Sequence, residues 1–254
     1  MLEVRGRDIS FTDQGSGDGV VLVHGFAASA QENWVKAGWV TMLTRANRRV
    51  VTVDLLGHGQ SFKPHEPGAY SLSGLADDVL AVVDHLQVKK PDLIGFSLGA
   101  RVVLDLLSRH SGRFLLGVFC GVGDRLLKPR DENDQIDMAG ALAAPSVDGL
   151  EAGMAKQFRQ FAEAQGQDLL ALAACSRGLN LGAVEWNREA LRKIGNESLV
   201  VAGNGDELAG SAGGLAACLG NARGKQIPGC GHMDCLTQPM FKGAVMDFLA
   251  GIPD

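Results

Sequence analysis

Leu93-Ile94-Gly95-Phe96-Ser97-Leu98-Gly99 is the stretch on which the reading of this chain turns. An apolar pair leads into G-x-S-x-G, and residues 99–110 then place Val102, Val103, Leu106 and Leu107 at the spacing of one helix face. A strand followed at once by a helix forces a tight turn between them. Glycines on either side of Ser97 let the two elements approach, and the turn pushes the hydroxyl into the open. The new helix aims its first free N–H groups at the same point, where negative charge is favoured. Read without that context, Ser97 is a helix cap; the strand before it and the helix after it favour a nucleophile.

Outward from this turn, short apolar runs alternate with helical periods. Val20-Val21-Leu22-Val23, Val50-Val51-Thr52-Val53, residues 114–119 and Leu199-Val200-Val201 read as buried strands, each leading to Gly, Asp, His or Cys. Helices are expected over 73–86, 99–110, 149–164, 168–175, 187–194 and 241–249. Two N-terminal segments, 2–5 and 9–12, are expected to pair as an antiparallel hairpin at the sheet edge. The class is α/β, with a mostly parallel sheet flanked by helices. Between 124 and 196 strands vanish and Ala, Gln and Glu dominate, so this stretch is expected to be a helical cap inserted into a core of residues 1–123 and 197–254.

Composition narrows the possible functions. The 254 residues are 46% hydrophobic and 21% charged, which excludes a disordered or coiled-coil chain. Lys plus Arg is 24 against 29 Asp plus Glu, and no cationic block exceeds pairs such as Arg48-Arg49 and Lys89-Lys90. A nucleic-acid surface is therefore not expected. No run is apolar enough for a membrane span, and residues 1–10 carry Glu3, Arg5, Arg7 and Asp8 where a signal peptide would be apolar, so a cytoplasmic protein is expected. The five cysteines, Cys120, Cys175, Cys218, Cys230 and Cys235, include no C-x-x-C pair and read as reduced thiols. Neither H-E-x-x-H nor a Cys/His cluster occurs, so no metal or other cofactor is implied.

A serine hydroxyl needs a base, and the base needs an orienting carboxylate. Ile227-Pro228-Gly229-Cys230-Gly231-His232 sets a histidine on a glycine-rich loop before the last helix, and the strand at 199–201 runs into a turn ending in Asp206. The order Ser, Asp, His resembles that of the α/β-hydrolase superfamily. So do His24-Gly25-Phe26 and Asp54-Leu55-Leu56-Gly57-His58-Gly59-Gln60-Ser61. The resemblance runs over nearly the whole chain and implies the fold of that superfamily. It also implies Ser97 as nucleophile, His232 as general base and later acid, and Asp206 as the orienting acid. The backbone N–H groups of Phe26 and Leu98 would form the oxyanion hole, and His24 would support the loop.

Asp124 competes for the acid role, because it follows the strand end at Phe119-Cys120-Gly121-Val122-Gly123, a position some related hydrolases use. Glu207 is adjacent to Asp206 but leaves the turn in another direction. His58, His65, His85 and His110 read as structural, and Trp34, Trp39 and Trp186 as packing. The expected substrate is a small ester or lactone, in the manner of a compact carboxylesterase. The superfamily also holds carbon-carbon bond hydrolases, enol-lactonases, perhydrolase or haloperoxidase-type enzymes, cofactor-independent oxygenases and non-catalytic ligand-binding proteins, and these are the alternatives.

Overall fold

The computed structural model describes residues 1–128, 137–182 and 186–252. In chain order the elements begin with strands β1 (Leu2–Val4), β2 (Arg7–Ile9), β3 (Phe11–Gln14) and β4 (Asp18–Val23). Then come α1 (Trp39–Arg45), β5 (Arg48–Val53), α2 (Leu72–His85), β6 (Asp92–Phe96), α3 (Leu98–His110) and β7 (Gly117–Cys120). Helices α4 (Met138–Ala143), α5 (Met154–Ala164), α6 (Leu169–Leu181) and α7 (Arg188–Arg192) precede β8 (Ser198–Gly203). The chain continues with α8 (Ala212–Ala216), β9 (Ala222–Ile227) and α9 (Pro239–Leu249).

Seven strands form one sheet in the order β3-β5-β4-β6-β7-β8-β9. All neighbours run parallel except β3, which pairs antiparallel with β5. The five central strands, β4 to β8, are buried on both faces, which explains their unbroken apolar runs. Alternate residues of one strand enter opposite cores: Val21, Val23, Leu93, Phe119 and Val200 face the core under α2 and α3. Val20, Leu22, Ile94, Val118 and Val201 face the core under α1 and α9, with Trp34, Trp39 and Phe241. Trp39 also donates its indole N–H to the Leu236 carbonyl at 2.9 Å.

Several expected boundaries move. The N-terminal hairpin forms from β1 and β2 and stands outside the main sheet, and the edge strand is β3. The chain turns between them at Ser10, whose N–H donates to Ser61 Oγ and whose carbonyl accepts from Asp54 N–H. The strand expected over 114–119 is Gly117–Cys120, because Leu115 points into solvent at 56% exposure. The helix expected over 149–164 starts at Met154, and the one over 168–175 runs on to Leu181. β9, α1, α4, α8 and a π-helical turn at Gln31–Lys36 had no counterpart in the sequence reading.

The helices between β7 and β8 are bound to the rest at two levels. Leu142, Phe158, Ala162, Leu172 and Ala173 pack on Ala27, in the loop after β4. On α6, Ala174, Cys175 and Leu179 join the same core as α2 and α3. Within the insertion, buried Arg159 donates to the carbonyls of Ala141, Leu142 and Ala144 at 2.8–2.9 Å, closing the C-terminal end of α4 onto α5.

Candidate active site

Ser97 follows β6 and precedes α3 at φ 53°, ψ −110°, a conformation that costs a non-glycine residue about 1–3 kcal/mol. Its neighbours explain how the turn is held. A Cβ on Gly95 would lie 2.3 Å from the Gly99 carbonyl oxygen, and one on Gly99 would lie 2.0 Å from the Val23 carbonyl oxygen. The Ser97 N–H donates to the Cys120 carbonyl at 2.8 Å, tying the turn to the end of β7.

His232 Nε2 lies 3.0 Å from Ser97 Oγ, and its Nδ1 lies 2.8 Å from Asp206 Oδ2. Asp206 is 3% exposed, and its second oxygen accepts from Ala209 N–H at 3.0 Å. The loops carrying the acid and the histidine are stitched together. Asn204 N–H donates to the Ile227 carbonyl, and Gly205 N–H donates to the Cys230 carbonyl. The His232 ring also packs beside Phe96, with centroids 5.0 Å apart. With Nδ1 held by a carboxylate as donor, Nε2 is left as the acceptor facing the hydroxyl. A hydroxyl, an imidazole and a carboxylate in this line can pass a proton off the serine.

Asp124 is placed elsewhere. Its Oδ1 accepts from Ser211 N–H at 2.8 Å, and its own N–H donates to the Ser211 carbonyl. Glu207 is exposed. All five cysteines are free and buried; burial pushes the Cys230 and Cys235 thiols up, away from reactivity. Among the described residues no cluster of His, Cys, Asp or Glu is arranged to hold a metal.

Leu98 heads α3, so its N–H has no acceptor within the helix. Phe26 sits in the loop after β4, which is held from several sides. Gly25 N–H donates to Asn33 Oδ1 at 2.9 Å. His24 Nε2 accepts from Leu55 N–H at 3.0 Å while its Nδ1–H donates to the Gly25 carbonyl at 2.7 Å. Burial lowers the pKa of His24 against a weaker upward pull from Asp54, so the ring stays neutral. Burial, with His24 beside it, pushes His58 down to about 3, and its ring meets Phe26 edge-on at 5.7 Å.

Three supporting residues were given no role in the sequence reading. Asp54 accepts from Ala30 N–H at 2.8 Å and Gln60 N–H at 2.9 Å, joining the loops after β4 and β5. Asn33 holds Gly25 as described. Gln167, between α5 and α6, accepts from Gly59 N–H at 3.1 Å and donates to the Ala28 carbonyl at 3.3 Å. Asp54 lay within a motif already singled out by resemblance, whereas nothing in the sequence marked Asn33 or Gln167.

A cavity of about 100 Å³ opens over Ser97 and His232. Phe26, Phe96, Phe158, Phe161, Met233 and Leu236 supply its apolar walls, and Glu32, Asn33 and Thr237 its polar ones. No helix among the described residues is long and apolar enough to cross a membrane.

Comparison with known proteins agrees with this architecture. A dihydrolipoyllysine-residue acetyltransferase component of an acetoin cleaving system from Pseudomonas putida is 39% identical over 106 residues. That match covers 41% of this chain and 27% of the relative, so the chain spans about a quarter of that protein. A putative non-heme chloroperoxidase from Synechocystis sp. is 27% identical over 248 residues, covering 89% of this chain and 88% of the relative. The structure of the enol-lactonase from Burkholderia xenovorans LB400 has the same fold, with TM-score 0.76 at 21% identity over 97% of this chain and 98% of that one. The alpha/beta hydrolase family profile itself matches residues 20–240, from the first buried strand of the sheet to the start of the last helix, and the chain belongs to that family.

Proposed function

We propose that the protein is a serine hydrolase acting on small carboxylic esters or lactones through an acyl-enzyme intermediate. The observation that carries this reading is His232, with one ring nitrogen 3.0 Å from Ser97 Oγ and the other 2.8 Å from Asp206 Oδ2. Ser97 Oγ attacks the carbonyl carbon as its proton passes to His232 Nε2. The resulting oxyanion is held by the N–H groups of Phe26 and Leu98, in a site walled by apolar side chains where such bonds are strong. The C–O bond then breaks, and His232 returns the proton to the leaving oxygen. Water, deprotonated by His232, attacks the acyl carbon and frees Ser97; in a lactone the released alcohol stays on the same molecule.

Esters and lactones fit because their leaving oxygens need only this one proton. The cavity of about 100 Å³ favours short acyl chains. Helix α5 covers part of it, with Phe158 and Phe161 lining the cavity where a substrate would sit.

A fluorophosphonate probe, followed by digestion and mass spectrometry, tests the nucleophile, and turnover of p-nitrophenyl acetate, butyrate and octanoate tests the substrate class. The expected result is a stoichiometric adduct on Ser97 with acetate and butyrate preferred over octanoate. An unlabelled Ser97 without ester turnover would overturn the reading.

A further inference from the structure

Part of the cavity's polar lining comes from the π-helical turn Gln31–Lys36. A π turn bonds residues five apart and is found disproportionately at functional sites. Two of its residues, Glu32 and Asn33, line the cavity, and so does Ala37 just after it. Asn33 is committed through Oδ1 to Gly25 N–H. Glu32 has a different situation. Its side chain is 20% exposed and pairs with Lys36, whose own side chain is 61% exposed. Glu32 lines the cavity and Lys36 does not, so the negative end of this ion pair is the one nearer the cavity. Asp206 adds a second carboxylate behind His232. Among the described residues lining the cavity there is no Lys or Arg.

We propose that Glu32 is a specificity-determining residue that makes the site select uncharged esters and reject those carrying a carboxylate. This rests on the ester-hydrolase reading above and names its substrate class. A negatively charged substrate arm entering the cavity would lose its hydration beside a like charge and find no cation among the lining residues. Discrimination of this kind comes from a repulsive element. Because the Lys36 ammonium is bonded directly to the Glu32 carboxylate, the residual repulsion amounts to roughly tenfold.

The test uses two pairs of esters matched in shape, with an isopropyl group in place of a carboxylate. p-Nitrophenyl 4-methylpentanoate against p-nitrophenyl hemisuccinate carries the charge on the acyl arm, and isobutyl butyrate against butyrylglycolate carries it on the alcohol arm. Rates are corrected with Ser97→Ala. The wild type is expected to favour the neutral member of at least one pair by about tenfold in kcat/KM. Glu32→Gln is expected to shrink that ratio about tenfold, and Lys36→Gln to enlarge it. A ratio unchanged within twofold in Glu32→Gln would overturn the role of Glu32, whatever the absolute rates. If none of the four esters is turned over, the ester reading falls, and the same question is read from binding. The dissociation constants of 4-methylpentanamide and succinamate, followed by NMR, should converge in Glu32→Gln if the carboxylate sets the selection. If their ratio does not move, it does not.

Discussion

Gly99 stands so close to Val23 that a Cβ on it would lie 2.0 Å from the Val23 carbonyl oxygen. The atom in the way is backbone in the sheet, which cannot swing aside. Gly99→Ala is therefore expected to cost at least about 3 kcal/mol, or to prevent folding, since overpacking against rigid structure is among the larger single-residue effects. Gly112→Ala, where nothing lies within 4 Å, is expected to stay within about 0.5 kcal/mol. Urea denaturation of both variants checks the contrast.

The two candidate acids separate by their partners. Asp206→Asn would leave the imidazole without its carboxylate and favour the wrong tautomer, at a cost of about 10⁴-fold in kcat. Asp124→Asn keeps an oxygen for Ser211 N–H and is expected to stay within threefold of wild type. Parallel esterase assays on folded variants decide it; the reverse order would move the acid role to Asp124.

Gln167 bridges Gly59 and Ala28 and so steadies the loop that presents Phe26 N–H. With Phe26 N–H as the proposed oxyanion donor, Gln167→Leu is expected to lower kcat by about tenfold or more with little change in KM, because a small displacement of such a donor is felt in the transition state. A rise in KM with kcat intact would assign the residue to substrate binding.

Protonation of buried histidines sets an acid limit on stability. His58 is held near 3 in the fold against an ordinary value of 6.5, and His24 is lowered as well. Below pH 6.5 the unfolded chain takes up protons that the native state refuses. Stability is therefore complete above that pH and falls as pH drops toward 3, by up to about 1.4 kcal/mol per pH unit for His58, with His24 acting in the same direction. His58→Gln should reduce the slope of unfolding free energy between pH 4 and 6 by close to one proton. An unchanged slope would mean that His58 is protonated in the native state.

The parts legible in the sequence are those where geometry restricts residue type. The turn around Ser97 demands glycines, and a sheet covered on both faces demands continuous apolar strands, so both could be read directly. β9 could not: Ala222-Arg223-Gly224-Lys225-Gln226-Ile227 is an edge strand with only Ile227 buried, and it carries no apolar run. Asp206 and Asp124 both follow strand ends, and only the folded loops bring one of them to His232. Asn33 and Gln167 work by bonding single backbone groups, Asn33 at Gly25 and Gln167 at Gly59 and Ala28, a task that leaves no periodicity or spacing in the chain, and Asp54 was visible only through the motif it begins.

On α6, a Cβ at Gly178 would lie 2.2 Å from the Pro67 carbonyl oxygen, so that helix is seated on the segment before α2 with no room between them. That makes α6 a fixed plinth, which keeps Gln167 and the loops beneath it in register, and α5 rests on it through the cluster that buries Phe158. Phe161 only flanks that cluster while lining the cavity. On the proposed reading, an effort to broaden the substrate range should randomise Phe161 and leave Phe158 and Gly178 alone.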